Sequence, residues 1–249
     1  MLYLSACMTN VDIILDYAAS HEGTLVRKEF TSWFEASYPD GSLRSMDTEL
    51  RQMVADGVLE RTGYGRFRLT SEAKLPFVPA ISEEMKALFS GIKEKYPYAD
   101  FCIWQAREIS SFMQHVPAID ILILETDRAA SEAVYDDARE LARGRTALLR
   151  PTEKECRFYA SEEPSLIVRD LISEAPVIRM NGVVTASLEK ILVDVTITRE
   201  FEFTRGSETY TIYENAARMY HISKKTMLRY ASRRGKKEEI EKLMKSTMQ

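Results

Sequence analysis

Cysteine and histidine are scarce in this chain, three of each in 249 residues. Cys7, Cys102 and Cys156 are odd in number and far apart. That excludes a disulfide framework of the kind that staples small secreted domains, and it makes a reducing cytoplasm the expected compartment. His21, His115 and His221 are equally scattered, and no Cys/His spacing suits zinc, so neither a metal nor a cofactor is expected. Long apolar runs are missing too. None approaches the ~20 residues that span a bilayer, so no membrane partner is expected. Leu4-Ser5-Ala6-Cys7 spells a lipoprotein cleavage box, but only six residues precede Cys7 and none is Lys or Arg. A working signal needs a basic start and an apolar stretch of about 7–15 residues. The glycine-rich phosphate loop, the dinucleotide fingerprint and the nucleophile-elbow motif are all absent.

What is present is an ordinary apolar content of 45% with 29% charged residues, enough for soluble cores and long enough for two domains. The charge is unevenly spread. Residues 1–80 carry net −3, residues 81–222 net −7, and residues 223–249 net +6. A basic tail therefore sits on an acidic protein. It is either a solvated helix face or a surface for phosphate, where clustered Lys/Arg gain counterion-release free energy. Leu75-Pro76-Phe77-Val78-Pro79 disfavours helix and reads as a linker. It divides the chain into a domain at 1–75 and a larger one at 80–249.

Ahead of the linker the pattern reads helix, helix, helix, hairpin. Asn10 caps a helix with Val11, Ile14, Leu15 and Ala18 on one face, and Gly23 ends it. Phe30, Trp33 and Phe34 mark a second helix, from about Arg27 to Tyr38. Pro39-Asp40-Gly41 is turn chemistry, after which Ser42 opens a third helix that buries Leu43, Met46, Leu50, Met53 and Val54. Asp56-Gly57 closes it. Arg66-Phe67-Arg68-Leu69 alternates with the period of a half-buried strand, and Gly63-Tyr64-Gly65 allows a tight hairpin. This order predicts a winged helix-turn-helix. The third helix would then present Arg44, Ser45, Thr48, Arg51 and Gln52 to the major groove of double-stranded DNA. Tyr64, Arg66 and Arg68 would form the wing, placed for backbone or minor groove. Asp47 and Glu49 would repel phosphate, so the helix must dock through a narrow face. The plain alternative is a winged helix used only as a protein-interaction adaptor.

Beyond the linker, helices expected at Ser82–Lys95, Arg107–Gln114 and Ala129–Ala142 alternate with strands at Phe101–Trp104, Ile119–Leu124 and Thr146–Leu149. Such alternation argues an α/β layer. From Ser187 onward everything reads helical except Glu202–Glu208. The fold class expected overall is α+β: a winged helix followed by a larger α/β domain that ends in a helical, basic C-terminus. In that tail Ser223 caps a helix carrying Lys224, Lys225, Arg229, Arg233 and Arg234 over Met227, Leu228 and Ala231, and Gly235 stops it. Lys236, Lys237, Lys242 and Lys245 continue the charge. Tyr213, Tyr220 and Tyr230 read as half-buried packing rather than stacking platforms. Leu188, Ile191, Leu192 and Val195 make one apolar stripe, which gives Glu189 and Asp194 a structural rather than a catalytic reading.

No catalytic residue emerges. Ser110-Ser111 ahead of Asp120-Ile121-Leu122 echoes a nucleotidyltransferase core faintly. That chemistry wants two carboxylates one residue apart, and Leu122 occupies the second position. Asp120 with Glu125 also lacks the Lys of a nuclease motif. An enzyme of either kind, with the winged helix delivering substrate, is the alternative to a regulator.

Three segments carry a family resemblance: Ile172–Val177 (ISEAPV), Ser187–Val195 (SLEKILVDV) and Asn215–Arg234 (NAARMYHISKKTMLRYASRR). Together they resemble the C-terminal domain of AbiEi-like antitoxins of bacterial type IV toxin–antitoxin, or abortive-infection, systems. The resemblance spans residues 80–245, and an N-terminal winged helix fits that family's domain order. It implies a repressor that autoregulates its operon by binding repeats in its own promoter, with basic residues of both domains on DNA. It also implies counteraction, without a stable complex, of a nucleotidyltransferase-like toxin encoded beside it. The departure is the acidic N-terminal domain, which would leave much of the phosphate affinity to the tail.

Overall fold

A computed structural model describes residues 10–39, 41–55, 57–70, 74, 76–118, 120–160 and 163–248. The Leu4–Cys7 box, Asp40, Asp56, Leu75 and Ile119 of the sequence readings lie outside the described residues. The fold is α+β, and the chain divides into two compact units. One holds residues 1–77 with 218–221, the other residues 78–217 with 222–249. No helix among the described residues is long and apolar enough to cross a membrane.

The first unit runs α1 (Asn10–Ser20), β1 (Thr24–Val26), α2 (Arg27–Ser37), α3 (Leu43–Ala55), β2 (Leu59–Gly63) and β3 (Arg66–Leu69). Each helix turns a few large apolar side chains inward. Ile14 and Leu15 of α1, Phe30 and Phe34 of α2, and Met46, Leu50 and Met53 of α3 share one core with Leu25, Leu59 and Phe67 of the strands. Full burial of one such side chain contributes roughly 1.5–3 kcal/mol. The loop from α2 to α3 passes so close to this core that a Cβ on Gly41 would meet the Phe34 ring at 2.5 Å. The strands form an antiparallel sheet in the order β1-β3-β2. Leu25 lies opposite Phe67 and Arg68 opposite Glu60. Gly65, at φ +62°, turns the β2–β3 hairpin in a conformation that side-chain-bearing residues rarely adopt. No local pattern predicts strand β1. Three residues are too few to show a period, and pairing with β3 rather than local pattern makes them a strand. In the short stretch of chain at 218–221 that belongs to this unit, the Tyr220 ring meets that of Phe77 at 5.2 Å.

The second unit opens with α4 (Glu83–Lys95), β4 (Phe101–Gln105), a 3-10 helix (Ala106–Phe112), β5 (Ile121–Thr126) and α5 (Ser131–Leu141). It continues with β6 (Thr146–Leu149), one turn of α6 (Glu153–Glu155) that widens into a π turn, and β7 (Ser165–Asp170). The sheet order is β4-β5-β7-β6, with β4 antiparallel to β5 and the other pairs parallel. Strand β5 is buried along its whole length, as central parallel strands are. A second, two-stranded sheet joins β8 (Val177–Met180) to β9 (Val183–Ala186). Helices α7 (Leu188–Ile197), α8 (Ser207–Met219), α9 (Lys224–Arg233) and α10 (Lys237–Thr247) follow. Between α7 and α8 lies a 3-10 helix, Arg199–Thr204, in a stretch the sequence read partly as turn.

Candidate nucleic-acid interface

Helix α3 owes its outward face to its inward one. With Met46, Leu50 and Met53 buried, residues on the opposite side of a 3.6-residue period must face solvent. Arg44, Ser45, Thr48, Arg51 and Gln52 are all exposed and form one continuous stripe. Ser45 Oγ accepts from Asn10 Nδ2 at 2.6 Å, and Arg51 Nε donates to the Asp47 carbonyl at 3.2 Å. On the hairpin, Arg66 and Arg68 are exposed on either side of buried Phe67. Tyr64 at the turn is fully exposed. Arg68 lies 3.9 Å from Glu60 across the ladder, whereas Arg44 and Arg66 have no ion pair among the described residues. Asp47, which the sequence reading treated as a liability, is paired with Arg27 at 2.5 Å.

The basic tail of the second unit is built on α9. Ser223 caps it, accepting from Thr226 N at 3.3 Å, while Met227, Tyr230 and Ala231 are buried. Lys224, Lys225, Arg229, Arg233, Lys236 and Lys237 are exposed. Several are engaged nonetheless. Lys224 Nζ donates to the Met248 carbonyl at 2.7 Å, Arg233 pairs with Glu174, and Lys236 pairs with Glu239 at 2.9 Å. Lys225 and Arg229 carry no such pair among the described residues. Arg234 departs from the expectation of a DNA contact. Its side chain is only 16% exposed and turns inward, with Nη1 3.4 Å from Asp194 Oδ1. A buried carboxylate draws the cation in, because an unpaired charge in the interior costs several kcal/mol. Tyr213 and Tyr230 also differ from the half-buried reading. Both are fully buried, with hydroxyls bonded to the Leu192 carbonyl and to Asp194 respectively.

Arg234 joins a network that sequence spacing did not reveal. Glu125 of β5 lies directly opposite Arg169 of β7, near the carboxyl ends of both strands. Arg169 bonds Glu125 at 2.7 Å and Asp194 at 2.8 Å, and it also pairs with Glu200. Lys190 and Asp194 stand one turn apart on α7. Lys190 Nζ is 2.5 Å from Asp194 and 2.6 Å from Glu125. The Trp104 ring lies 5.5 Å from Lys190 Nζ and 5.8 Å from Arg169 Cζ. Burial alone would raise the Asp194 pKa, but Lys190, Arg169 and Arg234 outweigh it and hold the carboxyl well below the usual range. Three carboxylates thus meet three cations inside the protein. The apolar stripe read on α7 is present, yet Glu189, Lys190 and Asp194 are buried as well, so the helix is enclosed on every side. Glu189 accepts from Ser187 Oγ at 2.7 Å and from Ser223 N–H at 2.9 Å, tying the start of α7 to the cap of α9. The only sequence signal for the network was charge inside an otherwise apolar helix.

The residues weighed for enzyme chemistry fall elsewhere. Asp120 precedes β5, at the amino end of the parallel strands, and pairs with Arg145 at 3.0 Å. Ser110 and Ser111 lie in the 3-10 helix after β4. Cys102 and Cys156 are buried free thiols.

One family model matches residues 45–249, and its description is a family of unknown function, DUF6577. The chain belongs to that family. The DUF6577 region begins within α3 and takes in the hairpin and the whole second unit. No curated protein matches the sequence.

Proposed function

We propose that the first unit is a winged helix and that the protein is a DNA-binding transcriptional repressor, the antitoxin of a type IV toxin–antitoxin system. The order α1-β1-α2-α3-β2-β3 around a small antiparallel sheet supports the winged-helix reading. The observation that carries DNA binding is the exposed stripe of Arg44, Ser45, Thr48, Arg51 and Gln52 on α3, with Arg66 and Arg68 on the adjoining hairpin. Arginine donates to guanine or phosphate, glutamine pairs with adenine, and the hydroxyls serve either, which is the donor set a major-groove helix needs. Exposed Lys225 and Arg229 on α9 supply the phosphate attraction that the acidic first unit lacks. The antitoxin role rests on the resemblance of residues 80–245 to AbiEi-like proteins. The toxin, a nucleotidyltransferase-like protein encoded alongside, is on this reading a functional rather than a physical partner.

A mobility-shift titration on duplex from upstream of the gene, across a salt series, tests DNA binding. The wild type should bind with affinity that falls steeply with salt. Changing Arg44, Arg51 and Arg66 together to Ala should abolish the shift, since each base contact is worth about 1–3 kcal/mol. Binding that ignores salt, or that survives the triple change, would sink the docking model.

A further inference from the structure

We infer that Arg27, which lies off the outward stripe of α3, contacts the DNA backbone phosphate and sets the spacing between that helix and the β2–β3 hairpin. This rests on the DNA-binding reading above. Arg27 is the first residue of α2, immediately after β1. Its backbone N–H donates to the Gly65 carbonyl in the hairpin turn at 2.8 Å. Its guanidinium reaches Asp47 on α3 at 2.5 Å. A Cβ placed on Gly65 would lie 3.7 Å from the Arg27 Cβ, so the turn and the start of α2 are in direct contact. Arg27 therefore ties the start of α2 to both elements of this unit that would meet a duplex, α3 and the hairpin. The preceding residue, Val26, is registered opposite Arg66, which brings a second exposed cation to the same junction.

The electrostatics suit a phosphate. The Arg27 side chain is 51% exposed and that of Asp47 34%. Ion pairs this wet contribute roughly 0–1 kcal/mol to stability, so fold stability alone gives little reason for the pair. A guanidinium has five N–H donors, and Asp47 is bonded to Nη2, which leaves others for a phosphodiester oxygen. Asp47 adjoins Thr48 on the outward stripe, where a bare carboxylate would repel the backbone. Paired with Arg27, it loses that repulsion and holds the cation in place. The carboxylate orients, and the arginine binds.

The test uses the full chain, one labelled duplex of random sequence and one from upstream of the gene, with Kd followed over a KCl series. Arg27→Ala should weaken both duplexes several-fold and reduce the log–log salt slope by about one, as expected for one lost phosphate contact. Arg27→Gln, which removes the charge while keeping the aliphatic stem and a good helix former, should show the same slope change if Arg27→Ala fails to fold. Asp47→Asn, which frees the guanidinium from the group that orients it, should weaken both duplexes less than Arg27→Ala does, with the slope kept because the cation remains. Thermal midpoints should stay near wild type. An unchanged slope in both Arg27 variants overturns this inference and leaves the DNA-binding reading standing. Asp47→Asn lowering the slope as much as Arg27→Ala does, although the cation is kept, would mark the pair as a structural clip and likewise overturn it. Wild type that binds neither duplex at low salt removes both.

Discussion

The outward face of α3 and the space between β5, β7 and α7 both gather arginine and carboxylate, and they use them in opposite ways. On α3 and its hairpin, Arg44 and Arg66 stand in solvent without ion pairs among the described residues. Inside the second unit, Arg169, Lys190, Glu125 and Asp194 are sealed and paired at 2.5–2.8 Å. An exposed cation is free to trade water for a phosphate, and its loss changes binding more than folding. A buried cation has already exchanged water for fixed partners, and removing one partner strands a charge. Solvent access, not residue type, separates the two sets of charges, and one helix shows both. Residues Lys225 and Arg229 of α9 face out, while its Tyr230 and the adjoining Arg234 reach Asp194.

The sharpest break of this contrast is Asp194→Asn. It leaves Arg169 and Lys190 buried with too little negative charge, and about 3–5 kcal/mol of stability should be lost, measured by denaturant unfolding. The sign of the pH effect follows from the depressed carboxyl. The wild-type contribution is present above the ordinary aspartate range and is lost as pH falls through the lower folded value, so the variant should lose less on acidification than wild type does. The converse change, Lys225→Ala with Arg229→Ala, should leave the unfolding midpoint within experimental scatter. It should weaken DNA binding about equally across sequences and lower the salt slope by about two. A sequence-selective loss would contradict a phosphate role.

A smaller effect concerns Glu108 in the 3-10 helix after β4. Burial pushes its carboxyl up to about 7, against the opposing hydrogen bond from the Ala80 N–H and the nearby Arg107. The folded protein therefore binds this proton more tightly than the unfolded chain does. Stability should fall as pH rises from the ordinary glutamate value toward 7. Glu108→Gln should flatten that slope and raise the thermal midpoint at pH 8 by a few degrees. An unchanged pH profile would show that water reaches the carboxylate.

How far the sequence could be read follows from which signals are local. The apolar period of α3 and the alternation around Phe67 are local, so the outward stripe could be named from sequence. The β8–β9 hairpin is also local, with Asn181-Gly182 between two apolar-rich runs, a turn signal absent from the expected element order above. Strand β7 was missed because Ser165–Asp170 has an apolar stretch of only three residues, and its neighbours in the sheet, β5 and β6, are distant in sequence. The buried network shows in the sequence only as charge inside the apolar helix α7, which names none of its partners. It joins Glu125, Arg169, Lys190, Asp194 and Glu200 from four elements to Arg234 just after α9, and nothing in the spacing of charged residues says which will be enclosed. Arg234 was misread for the same reason, because a run of basic residues on a tail carries no mark of the one that turns inward.

The anchoring of α9 has a consequence for how its charge could change over time. Its inner side is held by a tyrosine hydroxyl on Asp194 and by the Ser223 cap on Glu189, and neither contact involves the outward lysines. Substitutions at Lys225 and Arg229 can therefore accumulate one by one, tuning attraction to a polyanion in small steps while the helix stays seated. A lineage could drift between strong and weak binding without passing through an unstable intermediate.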